Sequence, residues 1–382
     1  MKQSKIKILF LDHAPFVGGA QLSLIQHLEK IDREKFDIII GCSVKAKELG
    51  LTDQYETLNI RYYFISFGHL KSFNLFVLFR LLKSVIEVRK IVKKEDIKLV
   101  FGNTVRTDII GSLAALLLRV KIVWFIQDYT FPKFLFNFLK FIPEKILYVS
   151  KSIANYYSVQ INNKNKVIYI WRNFYKRIAK ITKEQIQLKR QEWGADDNTV
   201  VIGYIGRLVH WKGPQILIKA VDILAKQEIK NIKCVIIGSG KGQETNNEQD
   251  LKDIVKSKKL EDYIIFTGHQ KDIPLCMSVL DIFCLTSIEP EPFSSVVIEA
   301  MMAKVPVIGT NIGGTPEIVK NEKTGLLVEP NNAYELSKSI KKLIDKELLK
   351  KEITQRAYNH VMKYNTGELI TKKLENIYEQ IV

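Results

Sequence analysis

The sequence predicts an α/β protein built from two parallel-sheet domains in tandem, and three observations carry that expectation. Its 382 residues are too many for one ordinary domain and suit two. Short apolar runs alternate with glycine turns and helical patterns, the grammar of a parallel sheet. That grammar runs as far as Val149 and then restarts at Thr199.

The elements follow in order. Ile6–Leu11 is an apolar run ending at Gly18-Gly19, after which Ala20–Leu28 has helical spacing. Phe36–Cys42, Leu99–Gly102, Ile122–Phe125 and Ile146–Val149 continue the strand series. A seam falls near Ile170–Lys180, and the polar, helical stretch Tyr175–Gln191 leads into the second sheet. There Thr199–Tyr204 reads as a strand, Pro214–Ala225 as a helix, and Lys233–Ile237 as a strand ending in Gly238-Ser239-Gly240. Tyr263–Phe266, Ile282–Leu285, Val305–Ile308 and Gly325–Val328 complete that sheet, and a last helical stretch begins near Ala357. No short fixed-period repeat is present, which excludes solenoids and propellers.

Composition narrows the class. At 46% hydrophobic and 26% charged, the chain is globular rather than disordered. The longest candidate for a membrane span, Ile109–Leu118, is bounded by Asp108 and Arg119 and is too short. Met1–Phe10 is basic, but the apolar stretch stops at Asp12 without a small-residue cleavage site, so it reads as the first strand. Cys42, Cys234, Cys276 and Cys284 lie in apolar segments without CxxC spacing, as expected of reduced core thiols in a cytosolic protein.

Charge is lopsided. The chain carries a formal +17, of which residues 1–175, with 27 Lys/Arg against 14 Asp/Glu, account for +13. An excess of that kind favours anionic partners. Two stretches of the front half interleave cations with apolar residues in the manner of interfacial amphipathic helices. Leu70–Lys98 sets Leu75, Phe76, Leu78, Phe79, Leu82, Val85 and Ile86 among Lys71, Arg80, Lys83, Arg89, Lys90, Lys93 and Lys94. Phe131–Lys145 sets five phenylalanines among Lys133, Lys140 and Lys145. Surface helices with one buried face would give the same pattern.

The second half carries the chemistry. Gly203–Leu208 followed by Lys212-Gly213 is a strand entering a glycine turn, with Arg207 and Lys212 five residues apart. At the carboxyl end of a parallel strand, both cations stand over the crevice where ligands bind, and a guanidinium with a lysine suits a diphosphate. Further on, Ser294 or Ser295 can cap a helix running to about Ala303, whose first backbone N–H groups form an anion site. Glu291 precedes that site and Glu299 follows it. Carboxylates are poor partners for phosphate but good acceptors for sugar and ribose hydroxyls. A capping serine and a surface glutamate alone would leave unexplained why acids flank an otherwise apolar helix.

Arg207 with Lys212, Glu291 with Glu299, Gly313-Gly314-Thr315-Pro316-Glu317 and Gly325-Leu326-Leu327-Val328 occur in that order. Together they resemble the donor-binding domain of the retaining family-4 glycosyltransferases of bacterial glycan assembly, densely over 199–340 and loosely in the front half. The resemblance implies the GT-B fold, two Rossmann-like domains facing across a cleft with a C-terminal helix returning to the first. It places an acceptor-binding domain at 1–172, a nucleotide-sugar-binding domain at 173–360 and the returning helix at 361–382. It also implies that Glu291 contacts the transferred sugar, that Glu299 binds the ribose, and that Arg207 and Lys212 hold the diphosphate. Phe293, Ser294 and Ser295 fall in the same donor loop, and the backbone around Gly268–Ile273, including His269, would meet the base. Gly18 and Gly19 match the family's N-terminal glycine loop beside the donor phosphate and acceptor.

One departure stands in the front half. Many relatives have a histidine where Gln127 stands, and glutamine cannot act as a base. In a retaining enzyme the departing phosphate oxygen can take the acceptor proton, so Asn103, Asp128 and His13 remain candidates for acceptor contacts. Without an Asp-x-Asp pair or a His/Cys cluster, no metal or other cofactor is implied beyond the nucleotide-sugar donor. The expected acceptor is a glycan or lipid-linked sugar, and the expected setting is cytoplasmic, at the inner face of an anionic membrane. A sugar-nucleotide epimerase of similar architecture and a basic nucleic-acid-binding module are the competing classes. The second has no RNP, zinc or helix-turn-helix spacing to support it.

Overall fold

A computed structural model describes residues 5–67, 75–116, 118–240 and 247–382. The chain divides into two units, Met1–Trp171 with Gly367–Val382, and Arg172–Thr366.

The first unit holds seven strands: β1 (Ile6–Asp12), β2 (Phe36–Ser43), β3 (Arg61–Ile65), β4 (Leu99–Gly102), β5 (Lys121–Ile126), β6 (Lys145–Tyr148) and β7 (Asn165–Val167). Between them run α1 (Gly19–Leu28), α2 (Lys45–Glu48), α3 (Leu51–Thr57), α4 (Leu75–Glu95), α5 (Val105–Ala115), α6 (Lys133–Leu139) and α7 (Lys151–Tyr156). All the strands are parallel, in the order β3-β2-β1-β4-β5-β6-β7. β1 reads as a continuous apolar run because both of its faces are covered.

The second unit opens with α8 (Phe174–Ile178) and α9 (Lys183–Glu192), so the polar stretch expected to be helical is two short helices with a break between. Its six strands are β8 (Val200–Ile205), β9 (Ile232–Ile237), β10 (Ile264–Gly268), β11 (Ile282–Leu285), β12 (Val307–Thr310) and β13 (Leu326–Val328). They are parallel, in the order β10-β9-β8-β11-β12-β13. The remaining helices are α10 (Pro214–Lys226), α11 (Asn247–Ser257), α12 (Ile273–Ser278), α13 (Ser295–Met302), α14 (Thr315–Ile318), α15 (Ala333–Asp345) and α16 (Glu347–Tyr364), followed by α17 (Gly367–Ile381) in the first unit.

Two strands fall outside the series expected from the sequence. β3 carries a polar Arg61 and ends an edge, and β7 is three residues of Asn-Lys-Val at the opposite edge. Edge strands bury little, so β7 shows no apolar run, whereas β3 carries the aromatic stretch Tyr62–Ile65 and is only partly buried. α17 packs its apolar side, Ile370, Leu374, Ile377 and Tyr378, into the first unit. The Tyr378 ring lies against Phe10, Phe36 and Phe101, and its hydroxyl is 3.0 Å from His27 Nε2. Thr371 Oγ1 stands 3.0 Å from the other ring nitrogen, and burial pushes the His27 pKa down to about 3, so the imidazole is neutral. All four cysteines are free and buried.

The front-half amphipathic stretches take different forms. Leu70–Asn74 and the side chains of Leu75 and Phe76 lie outside the described residues. α4 buries Val85, Val88, Ile91 and Val92 and exposes Leu78, Phe79, Leu82 and Ile86. The second stretch is helical only over the seven residues of α6, with Phe131 and Phe136 buried. Among the described residues no helix is long and apolar enough to cross a membrane.

Candidate functional site

In a doubly wound sheet the helices change sides where the strand order reverses, and a crevice opens at the carboxyl ends there. In the second unit that point lies between β8 and β11. The chain leaving β8 carries Arg207 and Lys212, and the chain leaving β11 carries Glu291, Phe293, Ser294 and Ser295 into α13.

Local backbone requirements explain why the loops sit so close. Lys212 ends a 3₁₀ turn, His210–Lys212, and Gly213 follows with φ 68°. A Cβ there would stand 1.9 Å from the Thr286 carbonyl oxygen, so only glycine lets the turn close on the end of β11. On the other flank Gly313, at φ 62°, would put a Cβ 2.3 Å from the Glu291 carbonyl oxygen. The Gly314 N–H donates to that same oxygen at 2.8 Å. The Gly313-Gly314 pair is therefore what allows the Glu291 loop its position.

The side chains form two ion pairs. Lys212 Nζ is 2.7 Å from Glu291 Oε1, and the Ser287 hydroxyl also donates to that carboxylate oxygen. Glu291 is buried, while Arg207 is exposed. Both cations lie beside Trp211, the Arg207 guanidinium 5.6 Å and Lys212 Nζ 4.5 Å from the ring centroid. Tyr204 Oη donates to the Arg207 carbonyl oxygen at 2.8 Å, which fixes the backbone from which that guanidinium projects.

The second pair was not foreseen. Glu299 is buried inside α13, and its Oε1 accepts from Arg172 Nε at 2.9 Å. Arg172 is only 2% exposed, and its backbone N–H donates to the Asn365 carbonyl at 3.1 Å. Burial pushes the Glu299 carboxyl up, and the Arg172 charge and hydrogen bond pull it back. No spacing in Trp171-Arg172-Asn173 marks this arginine in advance, because its partner is 127 residues away.

The other expected residues are more scattered. Ser294 is the N-cap of α13, yet its side chain makes no capping hydrogen bond, and Phe293 packs as a buried side chain beside it. Gly268 ends β10, two strands from β8, at φ 66° with open space where a Cβ would stand, and His269 is exposed.

Gly18 and Gly19 belong to the first unit, where Gly18 is the extended N-cap of α1. That unit has its own reversal point, between β1 and β4, and a hydrogen-bonded cluster fills it. Buried Asp12 accepts from Gln21 Nε2 at 3.0 Å, Asn103 Nδ2 at 2.8 Å and the Ala14 N–H at 2.9 Å. Its carboxyl is pushed up by burial against the pull of those donors. Gln127 Nε2 donates to Asn103 Oδ1 at 2.8 Å, and His13 Nδ1 is 2.7 Å from Thr104 Oγ1. Asp128 instead closes its own turn, accepting from the Thr130 N–H at 2.8 Å. Among the described residues no group of three or more His, Cys, Asp or Glu is placed to hold a metal ion.

Comparison with known proteins bears on this geometry. Residues 185–360 match the family described as Glycosyl transferases group 1. An Escherichia coli protein, the UDP-Gal:alpha-D-GlcNAc-diphosphoundecaprenol alpha-1,3-galactosyltransferase, is 28% identical over 367 residues, 91% of this chain and 90% of that one. A Bacillus subtilis relative is 31% identical over 198 residues, half of this chain and 48% of its own length. Among solved structures, Anabaena HepE in complex with UDP superposes with a TM-score of 0.85 over 98% of this chain and all of that one, at 23% identity. That likeness shows the fold, two Rossmann-like domains of the GT-B class.

Proposed function

We propose that this chain is a group 1 glycosyl transferase and that it moves a hexose-type sugar with retention from a UDP- or GDP-linked donor. The acceptor is a glycan or lipid-linked sugar of bacterial surface polysaccharide or lipopolysaccharide assembly. One observation carries the reading: a lysine–glutamate pair and an exposed arginine at the strand-order reversal of the second sheet, beside a helix N-terminus. Lys212 has three N–H donors, so it can keep Glu291 and still meet a phosphate oxygen. Arg207 supplies a second cation, and the first N–H groups of α13 supply the positive end of a helix dipole.

These groups stabilise the diphosphate as it leaves, when negative charge on its oxygens grows. Glu291, held by Lys212 and Ser287, faces the sugar as a hydroxyl acceptor. Glu299, which accepts a hydrogen bond from Arg172 Nε, accepts from ribose hydroxyls. The acceptor hydroxyl loses its proton to the leaving phosphate oxygen, which is why no protein base is required. The name of the Escherichia coli relative, with its uridine-linked donor and undecaprenol-linked acceptor, supports a nucleotide donor and a lipid-linked acceptor. An acceptor of that kind would hold the enzyme at the inner face of a membrane.

The test is product analysis of the purified chain with UDP- and GDP-sugars, with and without a polyprenyl-diphosphate sugar. The expected product is a new glycosidic bond with the donor's anomeric configuration, formed only with acceptor and undiminished by a chelator. An inverted linkage, or release of an altered sugar without acceptor, overturns the reading.

A further inference from the structure

α4, α5 and α6 form one layer on the first sheet. Trp124 on β5 donates to Ser112 Oγ of α5 at 2.9 Å and lies 6.3 Å from the ring of Phe136 in α6. α5 packs in turn on α4, where Arg89 donates to the Leu113 and Ala114 carbonyls. α4 follows the carboxyl end of β3 and α6 that of β5, so the first turns of both lie toward the same edge of the sheet.

This layer has an apolar outer side as well as an inner one. With Phe131 and Phe136 turned into the core, Phe134, Phe138 and Phe141 are left 67%, 79% and 75% exposed. On α4, Phe79 is 66% exposed, with Leu82 and Ile86 following it on the outer face. Large aromatics so fully in water are unusual unless something covers them. Cations stand among them: Lys133 Nζ lies 4.0 Å from the Tyr156 ring centroid, Lys140 Nζ 5.7 Å from that of Phe141, and Arg80 and Lys83 are exposed on α4. The nearby Glu87 is already engaged, accepting from the Ser66 N–H at 2.6 Å.

We propose that the outer face of α4 and α6 is the surface by which this protein lies on an anionic lipid bilayer. The phenylalanines enter the headgroup boundary and the lysines and arginines meet lipid phosphates. A second copy of the chain is a poorer occupant, because it would bring one basic rim against another, whereas an anionic surface complements that rim. The purpose assigned to the surface rests on the lipid-linked acceptor proposed above, but vesicle binding needs no turnover.

The experiment is co-sedimentation of the full chain with phosphatidylcholine vesicles, with and without phosphatidylglycerol, at low and high salt. Thermal protection by UDP and GDP is measured alongside. The chain is expected to pellet with the anionic vesicles only and to release at high salt. Replacing Phe134, Phe138 and Phe141 by Ser should weaken binding about tenfold or more. Lys133→Glu with Lys140→Glu should do the same through charge, and neither set should change the melting temperature or the nucleotide protection. Equal binding to neutral vesicles, no binding to either, unchanged binding by both variants, or concentration-dependent dimerisation abolished by the Phe variant would each overturn the proposal. Vesicle binding without nucleotide protection would instead count against the transferase reading alone.

Discussion

The two units wind their sheets alike, each reversing strand order beside its first strand, yet the two reversal points hold opposite chemistry. In the first, Asp12 is buried under three hydrogen-bond donors, and Asn103 and Gln127 continue the network. In the second, an exposed arginine and a lysine stand before a helix N-terminus, with glutamates held on either side of it. The lesson is that topology supplies the crevice and the residues at the strand ends decide what it binds. A satisfied carboxylate braces its loops, while the exposed Arg207 beside the half-buried Lys212 keeps positive charge at the surface.

Substitutions can break or sharpen this contrast. The largest effect is expected from Glu291→Gln, which keeps the volume and hydrogen bonding but removes the charge beside Lys212. Turnover should nearly vanish with the melting temperature unchanged, and wild-type rates in this variant would remove Glu291 from the site. Next, Arg172→Met strands the Glu299 carboxylate in the core and should cost about 3–5 kcal/mol of stability in denaturant titration. Arg172→Lys should recover part of the loss, since it restores the charge but not the guanidinium geometry. Combining Arg207→Ala with Lys212→Ala should cost about 2–4 kcal/mol of transition-state stabilisation, read from kcat/KM. In the first unit, Asp12→Asn sets an amide donor against the donors of Gln21 and Asn103 and should cost about 1–3 kcal/mol of stability. Nucleotide protection should be untouched. If Asp12→Asn removed it, the contrast between the two reversal points would fail.

The smallest effect concerns pH. Because burial raises the Glu299 pKa above its ordinary value of 4.5, this carboxyl takes up its proton at higher pH than exposed glutamates do. Nucleotide affinity should therefore decline as pH falls through that raised midpoint in the wild type. The same step should be missing from the binding curve of Glu299→Gln.

Much of the fold was legible because parallel strands buried on both faces announce themselves as apolar runs, as Ile6–Asp12 and Val200–Ile205 do. β7 was not, since three residues of Asn-Lys-Val at an edge bury too little to leave a pattern, and β3, despite its aromatic Tyr62–Ile65, stands outside the strands expected from the sequence. Arg207, Lys212, Glu291 and Glu299 were legible as charged residues at fixed offsets from strand ends and helix starts. Their partnerships were not. The Lys212–Glu291 pair depends on Gly213 and Gly313 permitting two loops to approach, and the Arg172–Glu299 pair joins distant segments through tertiary packing alone. Asp12 read as the end of a strand, because one of its donors, Asn103, lies 91 residues away.

The most direct measurement is calorimetric titration of UDP and GDP into the wild-type chain and into the Arg207→Ala, Lys212→Ala variant, with Asp12→Asn as the control from the other unit. One nucleotide should bind the wild type and Asp12→Asn alike and should bind the double variant at least about tenfold more weakly. Equal affinity in the double variant, or a loss confined to Asp12→Asn, would contradict a donor site at the reversal point of the second sheet.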